Sequence, residues 1–258
     1  MKATVINMRL CVSIPCFFGK NDFCDAIRTV SSFGYDAVET WGWQKLELDK
    51  VRKTLDETGV ELLSMCTTEH RLNRPDLRED YVNGVKESCE AAKKLGVKML
   101  ISQVGNDSGE PRELQHASIV AGLRAVTSIL EEYGVTIMIE PLNTLVNHKG
   151  YYLWSSLEAF EIVREVGHPL VKVVYDIYHQ QIMEGNIISN VVNNLECIAH
   201  LHAAGNPGRH ELQYGENDYK VIFSAIERAG YTGACGLEYI PLDDPLESLK
   251  NTMNMYGR

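Results

Sequence analysis

Short apolar runs alternate with longer amphipathic segments along the whole chain. Segments 22–33, 78–95 and 113–133 place apolar residues at i, i+3 and i+4, which predicts helices. Runs such as IMIE and KVVY are apolar on both faces, as expected for parallel strands covered by helices. Such runs predict eight strands: LCVSI (10–14), GYDAVET (34–40), GVELLSM (59–65), GVKMLIS (96–102), GVTIMIE (134–140), VKVVYD (171–176), IAHLH (198–202) and ACGLEY (234–239).

The alternation predicts an α/β fold, a single (β/α)8 TIM barrel. Eight units in 258 residues leave about 32 residues for each strand and its helix, which suits this fold. An open doubly wound sheet is the alternative, but no GxGxxG motif follows the first strand. Ser155 and Glu158 form a capping box, and Asp244 precedes a proline, so both sites predict helix starts. No linker divides the chain, and we predict one domain over residues 1–258.

Composition narrows the function classes. The 25 basic residues against 35 acidic residues give a net charge of −10, which argues against a nucleic-acid partner. Seven scattered cysteines without a CxxC pair favour reduced thiols and a cytoplasmic location. The N-terminus lacks the apolar core of a signal peptide, and no run is long enough for a membrane span. We therefore expect a cytoplasmic protein without a membrane partner.

Ionisable residues stand at the carboxyl ends of the last four predicted strands: Glu140, Asp176, His202 and Glu238. Taken alone, each has a simpler explanation; Asp176, for example, could cap the next helix. Together they stand where a barrel carries its active site, and strand alternation points them to one place. Three crowded carboxylates repel one another unless a cation holds them. This set suits one divalent ion, Mn²⁺ first, with Mg²⁺, Co²⁺ and Zn²⁺ also compatible.

Four motifs occur in order along the chain: IEPLN (139–143), YDIYH (175–179), HLHAAGNPGRHE (200–211) and GLEY (236–239). With them the chain resembles the xylose-isomerase-like barrels, specifically the sugar isomerase/epimerase group that includes hydroxypyruvate isomerases and ketose 3-epimerases. The stretch VETWGW (38–43) also resembles the end of that family's second strand.

The resemblance implies one divalent metal bound by four residues, namely Glu140, Asp176, His202 and Glu238. It also implies that Glu140 and Glu238 transfer protons, and that His179 and Arg209 contact substrate oxygens. Some hydroxypyruvate isomerases carry glutamine in place of His202, so the histidine favours ketose epimerases without deciding the matter.

Such a site suits enolisation of a small ketose or hydroxy-keto acid. The metal polarises a carbonyl, one glutamate removes a proton from the adjacent carbon, and a cis-enediolate forms. Returning the proton to the same carbon epimerises it, whereas returning it to the neighbouring carbon isomerises the substrate. Four further residues stand in predicted loops or at strand ends where they could touch substrate: His148, Trp41, His70 and Gln103.

Other functions on this fold stay open at the level of sequence. One alternative is the barrel subunit of a C-glycoside deglycosidase, a carbon–carbon lyase in which His148 serves as a base and a small partner chain is required. A dehydratase is another, because removing a proton beside a carbonyl can expel a β-hydroxyl. An apurinic-site endonuclease is disfavoured by the acidic charge and by Gln103, which stands where a further histidine ligand would be expected. For the leading hypothesis we expect a small-molecule substrate and a homo-oligomer.

Overall fold

A computed structural model describes residues 8–19, 21–68 and 71–257. Its strands form a closed parallel barrel in sequence order, with the last strand paired to the first. The predicted (β/α)8 barrel is therefore confirmed. The strands are β1 (Arg9–Ser13), β2 (Ala37–Thr40), β3 (Glu61–Cys66), β4 (Met99–Ser102), β5 (Thr136–Ile139), β6 (Val171–Asp176), β7 (Ile198–Ala203) and β8 (Ala234–Leu237).

Helices connect and cover these strands. The α-helices are α1 (Ile14–Phe18), α2 (Phe23–Ser32), α3 (Leu48–Thr58), α4 (Arg78–Leu95), α5 (Arg112–Tyr133), α6 (Ser156–Val166), α7 (Ile177–Met183), α8 (Ile187–Val192), α9 (Tyr219–Arg228) and α10 (Pro245–Tyr256). Short 3₁₀ turns cover Pro75–Leu77 and Leu195–Cys197. Among the helices that the structure describes, none combines the length and the hydropathy of a membrane span.

Local signals in the sequence account for the helix boundaries. Ser155 and Asp244 cap α6 and α10 as predicted, and each side chain accepts a hydrogen bond from a backbone N–H of the first turn. Helices α4 and α5 end at Gly96 and Gly134, whose φ angles of 80° and 61° suit a residue without Cβ. The chain then enters β4 or β5 within a few residues, so each glycine sets where a helix ends and the next strand can begin.

Strand alternation sorts the side chains into two layers. On β5, Ile137 and Ile139 belong to the large core between sheet and helices, whereas Met138 packs inside the barrel. On β6, Tyr175 faces outward and stacks on Phe160 of α6 with ring centroids 6.2 Å apart. Residues two apart share a face. Glu140, two residues after Met138, therefore continues the inward row.

Candidate metal centre

Four side chains from the carboxyl ends of β5 to β8 converge inside the barrel. Glu140, Asp176, His202 and Glu238 each offer one ligand atom, and these atoms lie within 4.8 Å of one another. The strand register sets this level, because Asp176 is paired with His202 and His202 with Gly236. We call these four residues the candidate metal centre.

The ring nitrogens of His202 lie close to three carboxylates. Its Nδ1 lies 2.9 Å from Glu140 Oε1 and 3.6 Å from Glu238 Oε2, while its Nε2 lies 3.4 Å from Glu39 Oε1. Burial by itself would lower the pKa of His202, but the carboxylates of Glu39 and Glu140 raise it well above its ordinary value. Each side of the ring therefore faces a carboxylate.

Glu140 is a buried carboxylate beside three other ionisable side chains. Burial raises its pKa from 4.5 to about 7, and the nearby Glu238 and Asp176 add to this, although His202 opposes the shift. Its side chain is hydrogen bonded to His202. Without a cation, Glu140 therefore holds a proton more readily than an exposed glutamate.

Glu238 has two strong donors. The indole Nε1 of Trp41 donates to Oε1 at 2.6 Å, and Nη2 of Arg209 donates to Oε2 at 2.6 Å. Nε of Arg209 also donates to the backbone carbonyl of Glu238 at 3.1 Å. The guanidinium lies over the ring of Tyr178, 5.3 Å from its centroid, which holds it in place. These contacts fix the orientation of the Glu238 carboxylate.

Asp176 has two roles in the structure. Its Oδ1 accepts a hydrogen bond from the backbone N–H of His179 at 3.0 Å and so caps α7. Its Oδ2 faces the ring of His179, with Nε2 at 3.6 Å. Asp176 can therefore cap α7, as considered from the sequence, and also belong to the candidate metal centre.

His179 and His148 stand together beside the centre. Nδ1 of the fully buried His179 accepts from the backbone N–H and the side-chain Nδ2 of Asn143, at 3.2 and 2.6 Å. Burial, and then the charge of Arg209, lowers the pKa of His179 well below its ordinary value. The ring of His148 lies 5.2 Å from that of His179, and burial followed by Arg209 lowers its pKa as well.

The remaining loop candidates have different positions. Trp41 is half exposed and bonds Glu238 through its N–H, a contact that the sequence did not indicate. Gln103 follows β4, is exposed and lies outside the four-residue centre. His70 lies outside the described residues.

A buried network beneath the centre was missed from the sequence. Glu39 on β2 accepts hydrogen bonds through Oε2 from Ser64 Oγ and His200 Nε2, both at 3.0 Å. Burial alone would raise the pKa of Glu39, but His202 and His200 hold it below its ordinary value. A Cβ at Gly236 would lie 2.5 Å from Glu39 Oε1, so the absence of a side chain there makes room for this carboxylate. The available signal was a glutamate inside an otherwise buried strand.

Comparisons with known proteins agree with the fold. Residues 27–255 match the family model of the xylose isomerase-like TIM barrel. Hydroxypyruvate isomerase of Escherichia coli strain K12 is 28% identical over 248 residues, which cover 91% of this chain and 94% of that protein. 

Two solved structures superpose closely on the barrel. AP endonuclease, family 2, from Brucella melitensis gives a TM-score of 0.92 at 24% identity, covering 97% of this chain and 100% of that one. D-Psicose 3-epimerase with D-tagatose from Clostridium cellulolyticum H10 gives 0.84 at 18% identity, covering 96% and 98%. At these identities the two likenesses establish the fold alone.

Proposed function

This chain belongs to the xylose isomerase-like TIM-barrel family, and from this premise we propose that it is a divalent-metal-dependent isomerase or epimerase of small keto substrates. The observation that carries the proposal is the convergence of Glu140, Asp176, His202 and Glu238 within 4.8 Å at one end of the barrel. The activities named for the similar isomerase and epimerase point to the same substrate class.

The donor set fits a divalent ion. Three carboxylates and one imidazole within 4.8 Å of one another can share an ion at ligand distances of about 2.0–2.3 Å. Burial raises the pKa of Glu140 to about 7, and this cost of holding a buried carboxylate is removed when a cation binds beside it. We propose Mn²⁺ as the ion, with Mg²⁺, Co²⁺ and Zn²⁺ as compatible alternatives, because most of the donors are oxygen atoms.

The two glutamates suit proton transfer. A bound divalent ion would polarise a substrate carbonyl and favour negative charge on its oxygen. Glu140 and Glu238 follow strands separated by two others, and both approach His202 Nδ1, at 2.9 and 3.6 Å. One of these two carboxylates removes the proton beside the carbonyl to form a cis-enediolate, and the other returns it. His179 and Arg209 are the proposed contacts for substrate oxygens.

A small ketose or hydroxy-keto acid is the proposed substrate. Isomerising hydroxypyruvate and epimerising psicose at C3, the reactions named for two similar proteins, both require removal of a proton beside a carbonyl.

No observation favours the carbon–carbon lyase, and the likeness to an endonuclease concerns the fold. The seven cysteines, all within the described residues, are free thiols, which supports the proposed cytoplasmic location. The homo-oligomer stays a prediction.

Proton exchange tests this function directly. The protein would be incubated with Mn²⁺ in D₂O with hydroxypyruvate, fructose, tagatose or psicose, and the substrates analysed by NMR after the protein and the paramagnetic Mn²⁺ are removed. We expect deuterium to enter beside the carbonyl, and this exchange to disappear after chelation and in Glu140→Gln and Glu238→Gln.

Glu211→Gln is the matched control. Glu211 is also a buried glutamate, but it bonds Ser248 Oγ at 2.9 Å outside the candidate metal centre. It should keep the exchange. Metal-loaded wild-type protein that exchanges none of these substrates would contradict the proposed function.

A further inference from the structure

The side-chain amide of Asn143 is buried, and its partners define its orientation. Its Oδ1 accepts from the backbone N–H groups of Val146 and Asn147, both at 3.0 Å. Its Nδ2 donates to His179 Nδ1 at 2.6 Å and to Asn147 Oδ1 at 3.0 Å. Because a backbone N–H can only donate, the oxygen must face Val146 and Asn147 and the nitrogen must face His179.

The tautomer of His179 follows from these donors. The backbone N–H of Asn143 also points at His179 Nδ1, at 3.2 Å, so two donors converge on one ring nitrogen. That nitrogen must supply the lone pair and cannot carry a hydrogen. A ring with a bare Nδ1 cannot be the charged imidazolium, which carries a hydrogen on both nitrogens. A neutral ring with a bare Nδ1 carries its hydrogen on Nε2.

The Nε2–H group of His179 faces the candidate metal centre without a partner. The ring is fully buried, and among the described residues Nε2 makes no hydrogen bond. It lies 3.6 Å from Asp176 Oδ2, a carboxylate of the centre. A buried donor without an acceptor is unfavourable, and a substrate oxygen bound at the centre would satisfy it.

We propose that Asn143 is a positioning residue that holds His179 as a neutral donor aimed at a substrate oxygen. A neutral imidazole stabilises charge on that oxygen through a hydrogen bond and leaves proton transfer to the glutamates. The same residue organises the loop after β5, because its Oδ1 caps the turn and its carbonyl accepts from the His148 N–H at 3.0 Å. The use of the donor rests on the proposed function, whereas the tautomer does not.

Asn143→Asp separates the two roles of the amide. The new carboxylate still accepts from Val146 and Asn147, so the turn is retained, but it cannot donate to His179 Nδ1. The ring should then carry a hydrogen on Nδ1, because the charged carboxylate is a stronger partner than the backbone N–H of residue 143 that points at the same nitrogen. Side-chain NMR of protein labelled with ¹⁵N-histidine reads the tautomer, with the His179 signal assigned by its loss in His179→Gln. Metal-free and Mg²⁺-loaded samples are both diamagnetic and suit this measurement.

In wild-type protein we expect a bare Nδ1 and a protonated Nε2, and in Asn143→Asp a protonated Nδ1. The kcat for deuterium exchange should fall about 100-fold, as for loss of one donor to a developing oxyanion, while KM changes less. Asn147→Asp is the matched control. It makes the same change of charge one turn along the loop, keeps an acceptor for Tyr178 and does not touch His179. Tautomer and kcat should both stay as in wild type.

Two results would overturn the inference. One is a wild-type spectrum with a protonated Nδ1, which tests the tautomer even if Asn143→Asp does not fold. The other is an Asn143→Asp protein with a lower melting temperature but an unchanged tautomer and kcat, which would reduce Asn143 to a structural role. The expected tautomers without exchange of any keto substrate would support the positioning by Asn143 and contradict the proposed function.

Discussion

Glu140 and Glu238 are the same residue type at the same level of the barrel, yet their surroundings differ. Glu140 bonds His202, and burial raises its pKa to about 7. Glu238 accepts from both Trp41 and Arg209 at 2.6 Å. The strands alone would present two similar carboxylates. The loops after β2 and β7 supply the donors, so the loops decide how each carboxylate behaves.

This difference suggests a division of labour in the proposed reaction. Glu140 is suited to hold a cation, because burial disfavours its ionised form in the metal-free site and a cation beside it would stabilise that form. Glu238 is held in one orientation by two donors. We therefore expect substitutions of the neighbours of Glu238 to affect turnover, and pH to act on the stability of the protein through Glu140.

The largest effect is expected from Arg209→Met. The methionine keeps much of the side-chain length but removes the donors to Oε2 and to the backbone carbonyl of Glu238. Removing one preorganised donor from an active site typically costs about 100- to 1,000-fold in turnover. We expect kcat/KM for deuterium exchange to fall within that range.

Arg209→Lys serves as the comparison, since it keeps the charge but not the forked geometry. Its activity should lie between those of wild type and Arg209→Met. If Arg209→Met retained wild-type activity, the environment of Glu238 would be irrelevant to turnover, and the contrast between the two glutamates would lose its functional meaning.

A smaller effect is expected from Trp41→Phe. Phenylalanine keeps an aromatic ring but cannot donate to Glu238 Oε1. We expect about a tenfold loss of kcat with little change in KM, because one neutral donor to a charged group is removed while Arg209 stays. Steady-state kinetics would measure both parameters.

Trp43→Phe is the matched control for this prediction. The Trp43 Nε1 has no hydrogen-bond partner among the described residues, so its loss should leave kcat unchanged. Equal losses in the two variants would show that ring packing after β2, and not the donor to Glu238, is responsible.

The smallest effect concerns stability and pH in metal-free protein. The pKa of Glu140 is about 7 in the folded state against an ordinary 4.5, so between these values the folded state binds more protons than the unfolded state. The free energy of unfolding should therefore fall as pH rises from about 4.5 to 7. A loss of about 1–2 kcal/mol corresponds to a decrease in Tm of about 5 °C.

Glu140→Gln isolates this contribution from the general effect of the net charge of −10. The variant should show a flatter dependence of Tm on pH across the same window, and added Mn²⁺ should flatten it in wild type. Equal slopes for the metal-free wild type and variant would mean that Glu140 titrates normally, which would remove one side of the comparison.

Much of the fold was accessible from the sequence because its signals are local. The predicted helix 78–95 coincides with α4, and the predicted 113–133 differs from α5 by one residue. Period-two alternation then oriented the strand ends. Met138 lies inside the barrel and Ile139 outside, as the pattern of β5 requires. The convergence of Glu140, Asp176, His202 and Glu238 follows from that pattern applied to a closed barrel.

The neighbours of these residues could not be read in the same way. Trp41 and Glu238 are 197 positions apart, and Glu39 and His200 are 161 apart. Asn143 stood in a recognised motif, but nothing in its spacing indicated two donors aimed at one nitrogen of His179. Glu39 offered only the weak signal of a charge within a buried strand.

The sequence by itself determined the barrel and the ring of ligand-type residues, because helix and strand periods, glycine caps and side-chain alternation depend on neighbours along the chain. Only the tertiary structure decided that Glu238 receives two donors, that Glu140 is buried with His202 as its partner and that His179 has a bare Nδ1. These properties arise from loop conformations and side-chain rotamers that bring distant residues into contact, and local periodicity does not encode them.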